Sequence, residues 1–253
     1  MIQNCFPGVC AELKIISQRS KFAIEFYLDV IESLIDPTED VDEIKYEKKA
    51  INWMMAFTAP GVIDFSLCIL FNKAVSYALL YWLPLYLLQT NANIGAEASA
   101  DISAFFDIGA IIGSIIAGII SDQVSSRSSV MFILLFVSAP LLVVYERLGA
   151  ISITYHSIFL FVLGMFINSP FSLLSTAVAM DLSSQPVLRE FNSISTMASI
   201  MDGFGSIGAT IGPPLSGVLS SNWTNVYIFL AAFEMCAALA LLRPLLHYYK
   251  TAR

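Results

Sequence analysis

Lys73 is the single base inside the apolar stretch Val62–Leu88, and it lies on one helical face with Ser76, Tyr77 and Tyr81. Spacings of three, four and eight residues bring those side chains to the same side of a helix. An ammonium beside hydroxyl donors suits a phosphate, which asks for a point charge and for hydrogen bonds to its oxygens. Two other uses of Lys73 stay open: its ammonium can snorkel to the membrane surface, or it can pair with an acid from a neighbouring helix. Asp107 and Asp202 are the acids placed for such a pair, and either has the character of an intramembrane carboxylate that couples protons. Asn168 stands beside Ser169 and Pro170 in a further apolar run. A polar amide next to a helix breaker suits a cavity lining or a bond between helices. Glu234, among small and apolar residues, is expected to face a neighbouring helix, and His156 to lie at an interface near a span end.

Other chemistry is poorly served. No Ser/His/Asp set or pair of loop carboxylates suggests hydrolysis, so an enzyme is not expected. Cys5, Cys10, Cys68 and Cys236 show neither a C-x-x-C nor a metal-ligand spacing. Gly203, Gly205 and Gly208 form a G-x-G-x-x-G, the spacing of a dinucleotide-binding loop. That loop needs a strand before it and an acid about 20 residues on for the ribose. Neither is present, so no cofactor is expected. The glycines fit helix packing in a membrane, where small residues let backbones approach. Gly208 and Gly212 make a G-x-x-x-G, Gly109 and Gly113 make another, and Pro213–Pro214 is expected to kink its helix.

The elements that must hold these residues are apolar helices. The chain of 253 residues is 57% hydrophobic and 13% charged, with a mean hydropathy of +0.74, whereas soluble domains average about 25% charged residues. Residues 1–50 carry ten of the twenty acids and six of the thirteen bases. Beyond them six apolar runs follow, at about Val62–Leu88, Ile102–Ser121, Ser129–Tyr145, Ile153–Met180, Asn192–Leu219 and Val226–Leu246. Runs that are apolar on every face predict helices rather than barrel strands. The fold class is therefore all-α integral membrane, a six-helix bundle over residues 51–250 in a lipid bilayer. Residues 1–50 read as an acidic cytoplasmic linker or irregular segment, with an amphipathic helix conceivable over Ala11–Ile35. Bases before the first run, at Arg127, at Arg189 and in the tail outnumber the lone Arg147 of the opposite loops, which predicts both termini on the cytoplasmic side. The net charge of −7 and the lack of a basic patch exclude nucleic acid as a partner. Trp53, Trp82 and Trp223 fit interfacial belts.

Four stretches resemble the major facilitator superfamily, and within it the sugar-phosphate exchangers of the organophosphate:phosphate antiporter group. They are Pro60–Leu87 (PGVIDFSLCILFNKAVSYALLYWLPLYL), Asp107–Arg127 (DIGAIIGSIIAGIISDQVSSR), Ser169–Ser184 (SPFSLLSTAVAMDLSS) and Met201–Ser220 (MDGFGSIGATIGPPLSGVLS). The second holds the general loop motif of the superfamily, Gly118, Asp122 and Arg127. The resemblance implies the end of a central loop followed by the C-terminal six helices of a twelve-helix fold, with the N-terminal six-helix half missing. It implies exchange of a glucose 6-phosphate-like sugar phosphate for inorganic phosphate by alternating access, in the endoplasmic reticulum membrane or else the plasma or lysosomal membrane. It further implies that Gly118, Asp122 and Arg127 latch helices, although Gln123 stands where the family usually has a base, and Asp122 as a simple helix cap is the plainer reading. Family antiporters carry an arginine six residues before the tryptophan of this helix. Here that position is Ser76, and the base lies one turn earlier at Lys73. A carrier of another organic anion, coupled to protons through Asp107 or Asp202, and a non-transporting half-length subunit are the competing readings.

Overall fold

The computed structural model describes residues 53–90, 95–124, 126–148, 153–183 and 193–251. The expectations for residues 1–50, Cys5, Cys10 and Arg189, and for the side chain of Trp53, fall outside them. A short α1, Trp53–Phe57, leads into α2, Val62–Thr90. Gly61 makes the turn between them at φ +91°, a left-handed conformation that side-chain-bearing residues rarely adopt. Next come α3, Ala96–Gln123, and α4, Arg127–Leu148. Helix α5, Ile153–Leu173, continues through a wider π-helical segment, Leu174–Val178, into α6, Ala179–Ser183. Then follow α7, Ile194–Leu219, and α8, Trp223–Thr251. Among the described residues there is no strand.

Five of the long helices are apolar and long enough to cross a membrane: α2, α3, α4, α5 and α8. Helix α7 has the length, at 26 residues, but not that hydropathy. Its exposed side explains why. Ser195, Ser199, Asp202, Ser206 and Thr210, spaced four, three, four and four, all lie exposed along one stripe. The opposite side, Met197, Met201, Gly205, Gly208, Gly212 and Ser216, is buried. The fifth expected span, Asn192–Leu219, is thus a helix with one exposed polar stripe rather than one apolar all round.

Helix α3 packs along α5, α2 along α7, and α4 along α8. The first two pairs are close because of glycine. A Cβ on Gly109 would overlap the Phe161 carbonyl, and one on Gly113 would lie 2.5 Å from Met165 Cα. Gly164 returns the contact, facing the Phe106 carbonyl. In the same way Gly208 and Gly212 of α7 press on the carbonyls of Leu70 and Ala74 in α2. Both G-x-x-x-G pairs therefore act as backbone-to-backbone seams.

Neither α5 nor α7 is broken at its prolines. Helix α5 runs unbroken through Asn168, Ser169 and Pro170, and its irregularity comes four residues after the proline, at the π-helical segment. Helix α7 likewise continues through Pro213 and Pro214. Pro170 withholds the amide that would reach Phe166, and such a lost bond is tolerated where neighbouring helices supply partners. The core has two apolar clusters. One gathers Ile69, Met131, Leu135, Leu174, Met197 and Leu241, and the other Leu83, Leu87, Leu142, Tyr145, Leu160 and Leu163.

Candidate anion site between α2, α5 and α7

Polar groups meet where α2 crosses α5 and α7. On α2 the consecutive residues Asn72 and Lys73, and Ser76 one turn on, are all buried. They point to different neighbours. Asn72 Nδ2 donates to the Ile167 carbonyl of α5 at 2.8 Å and to Glu234 Oε1 of α8 at 3.2 Å. Ser76 Oγ donates to Asn168 Oδ1 at 2.9 Å. Because Asn72 and Ser76 are four apart and Ile167 and Asn168 are adjacent, the two bonds clip α2 to α5 just before Pro170.

Lys73 turns toward α7. Its Nζ lies 2.6 Å from Asp202 Oδ1 and 4.4 Å from the centre of the Phe171 ring. Gly205 makes this reach feasible, since a Cβ there would come within 2.6 Å of Lys73 Cδ. Two of the three glycines of the G-x-G-x-x-G are thereby accounted for in packing terms. Gly205 clears the lysine stem and Gly208 admits the Leu70 carbonyl, while a Cβ on Gly203 would meet nothing within 4 Å.

Tyr77 and Tyr81 are exposed on α2, with ring centres 6.5 Å apart. The face expected to carry Lys73, Ser76, Tyr77 and Tyr81 is thus an arc. Lys73 sits at one edge against α7, Ser76 is turned into α5, and the two phenols lie open. An ammonium with one face-on aromatic, one carboxylate and nearby phenols can take an anion.

The other expected site residues divide. Asp202 forms the pair with Lys73, and Asp107 does not. Asp107 is exposed on α3 and, among the described residues, is in no ion pair. It lies two residues, about 200° around the helix, from the glycine seam that binds α3 to α5. At the start of α4, Arg127 Nη1 lies 2.8 Å from Asp181 Oδ1 and its Nη2 lies 3.6 Å from Asp122 Oδ1. The loop motif therefore ties the end of α3, the start of α4 and α6 together. Gly118 has no packing part in this, since a Cβ there would meet nothing within 4 Å.

Asp181, Asn72 and Phe171 are participants that sequence reasoning overlooked. Asn72 carried a usable signal, an uncharged polar side chain deep in an apolar span, which obeys the same rule that singled out Lys73. His156 lies near the start of α5, at a span end as expected. It is buried against Tyr145, with Nδ1 3.0 Å from Tyr145 Oη, and Tyr145 in turn packs on Tyr86 and Tyr227. Trp82 docks between helices, its Nε1 donating to the Pro213 carbonyl at 2.9 Å and its ring lying over Gly217.

Comparison with known proteins agrees with this architecture. The chain is 43% identical over 199 residues to the glucose-6-phosphate exchanger SLC37A2 of Mus musculus, covering 78% of this chain and 40% of that protein. It is 42% identical over 214 residues to the exchanger of that name from Xenopus laevis, covering 84% and 43%. It is 40% identical over 196 residues to the glucose-6-phosphate exchanger SLC37A1 of Homo sapiens, covering 77% and 37%. The chain thus spans about two fifths of the length of these curated relatives. The family profile described as Major Facilitator Superfamily matches residues 65–251, nearly the whole helical bundle, and the chain belongs to that superfamily of multi-pass membrane proteins.

Proposed function

We propose that this bundle is one wall of a carrier that exchanges a sugar phosphate for inorganic phosphate, with a second six-helix half completing the path. Lys73 is the phosphate ligand of this wall. Tyr77 and Tyr81 supply hydrogen bonds from the open side, and Ser76 and Asn168 hold α2 against α5. The observation that carries the reading is the Lys73 ammonium, nine-tenths buried at the meeting of α2, α5 and α7, with its approach on the exposed polar side of α7. A buried cation retained within a span is costly unless a partner or a ligand uses it. The names of the relatives, glucose-6-phosphate exchangers, support the substrate class. Alternating access follows from rocking of the two halves about a site between them. The phosphate gradient then drives uptake with no cofactor and no covalent step. Asp122, Arg127 and Asp181 brace the end of the bundle that the reading places on the cytoplasmic side, together with both termini. The resemblance alone supports the endoplasmic reticulum as the membrane concerned.

The test is exchange in proteoliposomes loaded with phosphate, with labelled glucose 6-phosphate outside. The chain is assayed alone and joined to an N-terminal half from a related exchanger. Uptake by the joined form that is lost in Lys73→Ala supports the reading. Correct insertion without uptake in either form refutes the sugar-phosphate assignment.

A further inference from the structure

The Lys73 ammonium already has an anion on it. Asp202 Oδ1 lies 2.6 Å away, and the two side chains differ sharply in exposure, 10% for Lys73 and 59% for Asp202. The carboxylate therefore covers the lysine on the side from which a solute arrives. Phe171 occupies another side of the ammonium, and the lysine stem is fixed in the space that Gly205 leaves. Among the described residues Asp202 is the one acid within ion-pair distance of Lys73.

We propose that Asp202 is a built-in competitor for the anion at Lys73: phosphate binds by displacing this carboxylate, and Asp202 thereby sets the phosphate concentration to which the site responds. This rests on the assignment of Lys73 as phosphate ligand. The physical reason is like-charge repulsion. A phosphate oxygen and the carboxylate, both within hydrogen-bond reach of one ammonium, would be only a few ångströms apart in a poorly screened place. The carboxylate has somewhere to go. Asp202 belongs to the exposed stripe with Ser199 and Ser206, and beside it Gly203 carries no Cβ and has open space around it. In the empty site the pair is electrically neutral, so the buried lysine is compensated without substrate. In the filled site the phosphate takes over that part and Asp202 faces the stripe.

The experiment reads Lys73 directly. The chain is placed in lipid nanodiscs and labelled with an amine-reactive reagent. Modification of the peptide holding Lys73, the single lysine between residues 50 and 249, is followed by mass spectrometry while inorganic phosphate is titrated in. Asp202→Asn keeps a hydrogen-bond acceptor and removes the charge. A partly exposed ion pair is worth up to about 1 kcal/mol, so the half-protecting phosphate concentration should fall about fivefold. Asp202→Glu, which keeps the charge, should stay near the native value. Asp202→Ser, neutral and like its neighbours in the stripe, is read beside Asp202→Asn so that misfolding of one variant leaves the other to decide. Equal half-protection in native and neutral variants overturns the competition and leaves Lys73 as a phosphate ligand. An equal shift from Asp107→Asn also overturns it, because a carboxylate with no contact to Lys73 would then act as strongly. Failure of phosphate to protect Lys73 in every variant overturns the ligand assignment itself.

Discussion

Replacing Gly208 with Ala tests the link between the glycine seam and the site. The added Cβ would stand 2.8 Å from the Leu70 carbonyl carbon, and closer still to its oxygen. Carbon atoms in contact rest about 3.5–4.0 Å apart, so α7 must withdraw from α2 by about 1 Å at that point. Gly208 lies six residues from Asp202 on the same rigid helix, and the Lys73–Asp202 contact of 2.6 Å would open toward the limit of an ion pair. Overpacking of this kind costs about 1–3 kcal/mol. Gly203→Ala is the internal control. It belongs to the same G-x-G-x-x-G, but its Cβ meets nothing, and loss of a glycine from a helix interior favours the helix by about 0.5–1 kcal/mol. Thermal unfolding of the two variants in nanodiscs should therefore move in opposite directions. The phosphate concentration that half-protects Lys73 should fall in Gly208→Ala alone, because the competing Asp202 carboxylate is drawn away from the ammonium. Equal unfolding temperatures in the two variants would refute the claim that backbone contact, rather than glycine as such, explains the motif.

Three further outcomes follow from the same geometry. Asn72→Leu removes the donor to Ile167 and leaves the fully buried Glu234 without it, which should cost about 1–3 kcal/mol in the same unfolding assay, whereas Glu234→Gln keeps an acceptor for Asn72 and should be nearly neutral. Trp82→Phe deletes the bond to the Pro213 carbonyl while keeping an aromatic over Gly217. A loss of about 1 kcal/mol is expected, and an unchanged unfolding temperature would show that the bond contributes nothing. Arg127→Ala breaks contacts to Asp181 and Asp122, both more than half exposed, so its effect on stability should stay below about 1 kcal/mol. A loss of several kcal/mol would mean that this motif is a main fastening of the bundle.

Apolar run length and charge placement were enough to place the helices and their class, because a membrane span must satisfy its own backbone and is long, apolar and locally encoded. The same local rules singled out Lys73 and Asp202, since a charge in such a span is conspicuous wherever it points. They also separated packing glycines from a dinucleotide loop, because these glycines lie inside a long apolar run and not after the strand that the loop requires. What a run of residues cannot carry is the choice of neighbour. Asp107 and Asp202 look alike along the chain. Only the docking of α7 on α2 through Gly208 and Gly212, with Gly205 clearing the lysine stem, gives Lys73 to Asp202 and leaves Asp107 on the far side of its own helix. Ser76 and Tyr77 are adjacent in sequence, yet one turns into Asn168 and the other to the open face, because α5 covers just one side of α2 there. His156 is buried against Tyr145 of α4, which itself packs on Tyr86 of α2 and Tyr227 of α8, a convergence that no single helix records. Composition and periodicity set which groups enter the membrane; the angles and separations at which helices pack set which of those groups meet.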